Sequence, residues 1–510
     1  MLTALSRNGI YKLLCKVLLF LVLVGLPLTS FPLLSRLSGG ALVAPFSFIP
    51  LVILLIVWFV PYLLERGKLP AEATPLLYFV LIAVAVSALA FFMDGYYARG
   101  RDFFDQSLRA FISLAVGLSF YLFFAVYPRN EKGFQQVLRF IYIGGVLLIA
   151  FSLLEFAFLR LYGSAREMPA WFMRVRAFLA FQSPSVFIIN RVAGLAYEPS
   201  WYVREFNLVL FPLWLSAVYQ RQSIFKWRLW IFQVEDFLML AGLVVFGLSS
   251  PRIGLLAFLA SLAYVVLILV SQLHGKITAW YLARRKGAPK NPVGVKVILA
   301  VLMVVVAVAA AGTALFGYMG VASQWDYRYE RLFSGEAFEE LDLFPLNEDN
   351  LIRFSEQLSF MERMIYWFGG WHIFNDYPLG VGLGNAGFYF NDRVNGQAFK
   401  SFEMRNLIYR ASYLSNTKNL WVRLLSETGF PGLVVFLVWL IVLWRSSALI
   451  RKRGSATLKI VGLAGQLFLL AYLLEGFSMD SFAMPYQWLM TGLISAGGMW
   501  VRKQEAQEKG

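Results

Sequence analysis

The chain has 510 residues, of which 59% are aliphatic, aromatic, Met or Cys and only 15% are charged. Soluble domains carry about a quarter charged residues, so this composition excludes an ordinary water-soluble globular protein. The formal charge of +16 does not point to nucleic acid, because the basic residues are scattered between apolar runs rather than gathered on one soluble module.

Runs of about 20 apolar residues, long enough to cross the roughly 30 Å hydrocarbon core as helices, recur along the chain. They predict an all-α fold, a polytopic transmembrane helical bundle of about twelve spans. The expected spans are 13–34, 46–64, 75–93, 108–127, 136–160, 202–220, 233–249, 253–271, 294–318, 430–447, 459–479 and 484–501. The first follows Arg7, Lys12 and Lys16 as a signal peptide would, but its apolar run is too long and no small-x-small cleavage site follows. It reads as a retained helix. Its Cys15 is the only cysteine; it has no disulfide partner and no thiolate zinc pattern around it, and it reads as a lipid-facing or packing residue.

This layout divides the chain into 1–160 with five spans, an external loop at 161–201, and 202–318 with four spans. A large external loop with short helices follows at 319–429, then three spans and a tail at 430–510. With the N-terminus cytoplasmic, the inner loops hold Arg129 and Lys132; Arg221, Lys226 and Arg228; Arg284, Arg285, Lys286 and Lys290; and Arg451, Lys452 and Arg453. The tail adds Arg502 and Lys503. Every inner connection is then basic, as the positive-inside rule requires, and both termini are cytoplasmic. Stretch 417–428 reads as an amphipathic helix along the outer surface, feeding the next span through Gly429-Phe430-Pro431-Gly432.

Four external clusters carry the residues suited to chemistry. Asn190-Arg191-Val192-Ala193-Gly194-Leu195-Ala196-Tyr197-Glu198-Pro199-Ser200 leads to Arg204 and Glu205 at a span mouth. Ser249-Ser250-Pro251-Arg252 is a tight turn holding an arginine at the membrane edge. Asn375-Asp376-Tyr377-Pro378-Leu379-Gly380-Val381-Gly382-Leu383-Gly384-Asn385 follows Trp371 and His372. Last come Asn416-Thr417-Lys418-Asn419-Leu420-Trp421 and Ser426-Glu427-Thr428-Gly429.

In their order, these phrases resemble the O-antigen polymerase and ligase (Wzy-like) superfamily of bacterial envelope glycosyltransferases, over roughly residues 190–435. The resemblance implies a glycosyltransferase at the periplasmic face of the bacterial inner membrane. Its substrate would be an undecaprenyl-diphosphate-linked glycan, and it would need no metal or other cofactor. The ligase branch usually has a histidine just before the Asn of the last phrase. Here Lys418 stands before Asn419, which favours a polymerase of lipid-linked repeat units over a ligase to lipid A core or protein. A lipid-linked sugar flippase or other transporter is the competitor from another class. A chain-length regulator and a flippase are candidate partners, with membrane lipid; nucleic acid is not.

An arginine fork can hold phosphate oxygens bidentately, so Arg191, Arg204 and Arg252 are expected to bind the diphosphate. Glu198, Lys418 and Glu427 are expected to activate or orient the acceptor, Asn419 to hydrogen-bond it, and Trp421, Trp371 and Tyr377 to stack on sugar rings. Structural alternatives stand beside each role. The arginines could snorkel at the interface, Glu198 could stabilise a helix start, Glu427 could cap the turn at Gly429, and Lys418 could be a surface charge. His372, among Trp371, Ile373 and Phe374, reads as a packed residue rather than a base. The Gly380-x-Gly382-x-Gly384 run lacks the strand and helix of a dinucleotide loop and reads as a close turn against a neighbouring helix. Glu155, Glu235, Asp236, Glu475 and Asp480 lie in or near span ends, and none is placed centrally as an ion-coupling acid would be.

Overall fold

The computed structural model describes residues 9–37, 42–93, 96–164, 167–181, 183, 191–225, 227–249, 252–284 and 345–509, with isolated positions between 312 and 330. Long helices dominate it, and among the described residues seven are long and apolar enough to cross a membrane. Helix α1 (Gly9–Val24) stops well short of the expected end at 34. Pro27 has no N–H to continue the ladder, and a Cβ on Gly25 would lie 2.5 Å from the Phe46 ring. The chain turns back there, bridging Ser30 to Ala44. Helix α2 (Phe48–Glu65) includes a π-helical turn at Leu55–Phe59, and α3 (Ala73–Met93) follows.

A hairpin pairing Tyr97–Ala98 with Arg101–Asp102 leads into α4 (Phe103–Val126), whose first turn is capped by the Asp102 carboxylate. Helix α5 (Glu131–Tyr162) is capped likewise by Asn130. Helix α6 (Ala170–Leu179) comes next. Helix α7 runs from Pro199–Glu205 through a π-helical turn at Phe206–Leu210 into Phe211–Gln220, and α8 (Val234–Leu248) and α9 (Ile253–Arg284) follow. The expected span 294–318 lies outside the described residues. The described part of the large loop holds α10 (Glu348–Gln357), α11 (Met361–Asp376) and α12 (Phe402–Tyr409). Helices α13 (Leu420–Arg453), α14 (Ala456–Glu475) and α15 (Pro485–Lys509) complete the bundle.

Helix α14 is the central post, packed against α7, α9, α13 and α15. Its apolar window is 78% buried, whereas that of α9 is 22% buried, so α9 presents most of its surface outward. One expectation is corrected here. The stretch before Gly429 does not lie along the surface as a separate helix. It is the first part of α13, which is interrupted by a non-helical residue at Gly429 (φ 67°, ψ −174°). Leu420, Arg423, Leu424, Glu427 and Thr428 are all buried, because both of its charged residues turn inward to partners.

Candidate functional site

A cavity of about 730 Å³ opens among the ends of α4, α7, α11 and α13 and the turn before α15. Its lining includes Arg101, Arg109, Arg204, Arg252, Arg363, Lys418 and Arg423, set against Glu198, Glu362, Glu403, Glu427 and Asp480. A smaller cavity of about 150 Å³ adjoins it and is lined by Arg191, Glu198, Ser200, Arg252, Arg363 and Ser478, among others. Glu198, Arg252 and Arg363 face both. This is a strongly charged surface at the rim of an apolar bundle, and it can hold a large polyanionic or hydroxyl-rich ligand.

The segment with Arg191 and Glu198 is held from below by α5. The Glu155 carboxylate, fully buried, accepts the backbone N–H groups of Ala193 at 3.1 Å and Gly194 at 2.6 Å. The same carboxylate pairs with Arg176 of α6 at 2.7 Å, both side chains 0% exposed. Gly194 has φ +61°, and a Cβ there would fall 2.3 Å from Ser152 Oγ, so no other residue fits this turn without displacement. Ser249 Oγ donates to the Val192 carbonyl at 2.9 Å, tying the same segment to the end of α8. Glu198 then stands at the start of α7 and accepts the Ser200 hydroxyl.

Arg204, 4% exposed, donates to the Ser478 carbonyl at 2.9 Å and lies 3.8 Å from the Glu475 carboxylate. Glu475 also accepts from Asn207 Nδ2 at 2.8 Å. Arg252 reaches across to the loop domain, donating to the carbonyls of Leu358 and of Ser359, the latter at 2.9 Å. Arg363 of α11 donates to the Ser478 carbonyl at 3.4 Å. Burial, and then the neighbouring Arg204, lower its guanidinium from the ordinary value. Cations crowded in this way are stabilised by an incoming anion.

The third and fourth sequence clusters meet at Glu427. This carboxylate, 1% exposed, accepts Arg423 Nε at 2.9 Å and the backbone N–H of Gly384 at 2.8 Å. Arg423 also donates to the Asp480 carbonyl. Gly380, Gly382 and Gly384 all have positive φ, and a Cβ on Gly380 would lie 2.6 Å from the backbone nitrogen of Gly429. The Gly-rich run is therefore the close turn the sequence suggests, laid against α13 and α4. Val381 N–H donates to the Ser426 carbonyl at 2.9 Å and Phe430 N–H to Pro378 at 3.1 Å, so these backbone bonds fasten the turn to α13 on both sides of the break.

Lys418, at φ +49°, pairs with Glu403 of α12 and lies 4.3 Å above the Tyr366 ring. Tyr366 donates to the same Glu403 carboxylate at 3.0 Å. Burial alone would raise the Glu403 carboxyl, but Lys418 and Tyr366, with Arg363 beyond them, hold it below its ordinary value. Lys418 is thus paired with a carboxylate at the cavity wall, where it is placed to orient a ligand.

Four expected contacts fall away from the cavity. Asn419 is fully buried and caps α13, its Oδ1 accepting the N–H groups of Trp421 at 2.9 Å and Val422 at 3.2 Å. Trp421 donates from Nε1 to the Leu473 carbonyl at 3.0 Å and packs against Gly476, Phe436 and Tyr472. Neither lines the cavity. Trp371 stacks near Phe374 and Tyr377 near Tyr389, also off the lining. His372 is not packed in a core; it pairs with Glu348 at 2.7 Å on a half-exposed face. Sequence reasoning missed Arg101, Arg109, Arg363, Glu403 and Arg423. Arg101 and Arg109 stand at a span mouth like Arg204, and Arg423 is four residues before Glu427, the helical spacing for an ion pair. Arg363 and Glu403 carry no such signal.

No curated protein matches the chain. A family model described as O-antigen ligase matches residues 237–437, a stretch containing Arg252, Arg363, Lys418, Arg423 and Glu427, while Arg191, Glu198 and Arg204 precede it. The matched residues supply seven of the twelve charged side chains that line the cavity at one end of the helical bundle, and over them the chain is similar to the O-antigen ligase family.

Proposed function

We propose that this protein polymerises undecaprenyl-diphosphate-linked oligosaccharide repeat units of O-antigen, capsule or exopolysaccharide at the periplasmic face of the inner membrane. The observation that carries the reading is the pair of adjoining cavities in which Arg204, Arg252 and Arg363 meet Glu198 at the ends of the spans. A polyprenyl diphosphate keeps its tail in the bilayer and its charge at the interface, where these cations stand. In the reaction, an acceptor hydroxyl oxygen bonds to the anomeric carbon of the donor glycan as the bond from that carbon to the diphosphate oxygen breaks. The hydroxyl proton passes to the Glu198 carboxylate, and the charge that develops on the leaving polyprenyl diphosphate is met by the arginines. Lys418 and the Arg423–Glu427 pair line the acceptor side and orient its hydroxyls.

Ligation of the glycan to lipid A core is the second reading, favoured by the printed description of the matched family. Against it, Lys418 stands where a ligase usually carries histidine, and no residue lining the large cavity is a histidine among those described. A polysaccharide gel of a strain lacking the protein separates the two. Loss of the long-chain ladder with a single repeat unit still attached to its acceptor is expected for a polymerase. Loss of all attached glycan with lipid-linked polymer accumulating would establish the ligase instead. Complementation with Arg252→Ala is expected to leave the ladder missing; a full ladder would remove Arg252 from the site.

A further inference from the structure

The large cavity contains cations that the donor site does not use. Arg101 and Arg109, with Gln106 and Ser113, line it from the side of α4. None of these four lines the smaller cavity that holds Arg191, Arg252 and Arg363. Contacts place the two groups apart. Gln106 Nε2 donates to the Gly384 carbonyl at 3.2 Å, and Gly384 N–H holds Glu427. Glu427 pairs with Arg423, which reaches Asp480, and only beyond Asp480 come Ser478, Arg204 and Arg363. The Arg423–Glu427 pair therefore stands between two cationic ends of one cavity.

The α4 end also borders the lipid. Phe104, Leu108 and Ile112 are 64%, 46% and 56% exposed, and their spacing of four puts them on one outward face of the helix. Such a stripe on a bundle of this composition is covered by acyl or prenyl chains. Arg109 is next in sequence to Leu108 and is itself 47% exposed at the side chain. Its present partner is Asp105 at 3.0 Å, an exposed i,i+4 pair of the kind that is only weakly held. Arg101 donates to Gln106 Oε1 at 3.0 Å, which leaves the other guanidinium donors for a ligand. A doubly charged diphosphate can displace the singly charged Asp105 carboxylate, because it offers the guanidinium more charge and more acceptor oxygens.

We infer that Arg101 and Arg109 form a second subsite for a phosphate-bearing lipid headgroup, and that it holds the diphosphate of the acceptor substrate while its prenyl tail lies along Phe104, Leu108 and Ile112. This inference rests on the polymerase reading. It follows from that chemistry that donor and acceptor are both lipid-linked, so two diphosphates must be held at once with the reacting sugars between them. The Arg423–Glu427 pair then lies along the acceptor's sugar, whose hydroxyl meets the donor's anomeric carbon at Glu198.

Native mass spectrometry of the purified full chain in detergent, titrated with undecaprenyl diphosphate, counts the sites. The wild type is expected to take up two equivalents, and Arg101→Ala/Arg109→Ala and Arg252→Ala one each. Arg101→Lys/Arg109→Lys is expected to restore the second. Asp105→Asn removes the competing carboxylate and is expected to tighten the second equivalent, a gain that no folding defect can mimic. Two equivalents on the alanine pair would overturn the proposal. So would displacement of the second equivalent by phosphatidylglycerol, which would make this a phospholipid site. A synthetic lipid-linked repeat unit is offered in parallel as sole substrate. The alanine pair is expected to raise its KM by about tenfold or more, since charged hydrogen bonds are lost. Failure of the wild type to polymerise it would overturn the polymerase reading whatever the count of bound lipids.

Discussion

The two carboxylates in the motifs are equipped for different tasks. Glu427 is 1% exposed and already accepts both the Arg423 guanidinium and the Gly384 N–H, so it fixes the Gly-rich turn. Glu198 is half-buried, faces both cavities and accepts the small, rotatable hydroxyl of Ser200, so it is placed to receive a proton. Glu198→Gln is expected to lower turnover by about 10²- to 10⁴-fold, the usual contribution of a general base, with the thermal unfolding midpoint unchanged. Glu427→Gln leaves Arg423 buried without its charge partner, a change of the class that costs about 3–5 kcal/mol. It is expected to lower the midpoint as well as the rate. Turnover and calorimetry on the same preparations separate the two roles; equal midpoints for both variants would refute the division. Motif position made both glutamates legible in the sequence, but not this division of labour. Arg363 and Glu403 were illegible for a different reason. Each sits in an ordinary stretch of the large loop and gains meaning only from packing, where Arg363 shares Ser478 with Arg204 and Glu403 shares its carboxylate between Lys418 and Tyr366.

At the scale of elements, hydropathy marked the helices well because the bilayer demands long apolar runs and satisfied backbones. It could not mark where the polar external pieces turn inward. The stretch 417–428 reads as amphipathic, and the structure buries Arg423 and Glu427 within it, since they satisfy each other and the Asp480 and Gly384 backbones. The same logic explains α6. Trp171, Val175 and Phe178 are exposed on one side, while Arg176 on the other is 0% exposed and paired with Glu155. That pair anchors the backbone of Ala193 and Gly194 and so aims Arg191 and Glu198. Arg176→Met strands a buried carboxylate and is expected to cost about 3–5 kcal/mol, seen as a lower unfolding midpoint. Glu155→Leu/Arg176→Met removes both charges and is expected to recover most of that midpoint. It leaves the Ala193 and Gly194 N–H groups without their acceptor, so the long-chain ladder is expected to stay absent. A double variant that restored the ladder would show that the pair serves folding alone.

Over the whole molecule, charge is sorted to two ends. Met484 lines the cavity, and α15 carries the chain from there to Arg502, about 27 Å away at 1.5 Å per residue. Arg502 pairs with Glu72, which is 1% exposed and also accepts the Ser446 hydroxyl. Glu72 directly precedes α3, whose far end leads through Arg101 back to the cavity. One ion pair, buried on the Glu72 side only, thus clamps α3, α13 and α15 at the end remote from the site. Basic loops gather at that same end, with Arg129 before α5, Arg221 after α7 and Arg451 to Arg453 closing α13. On the positive-inside rule this end is expected to face the cytoplasm, which would leave the cavity in the periplasm, where the proposed polymerase would work. Cys15, the sole cysteine, is buried in α1, so Cys15→Ala gives a background for single-cysteine labelling. Glu348→Cys, in the large loop, is expected to react with a membrane-impermeant maleimide in cells whose inner membrane is intact. Glu505→Cys, in the tail, is expected to react only after that membrane is permeabilised. The reverse pattern would put the cavity on the cytoplasmic side, where the diphosphate arginines would face the wrong leaflet and the polymerase reading would fail with them.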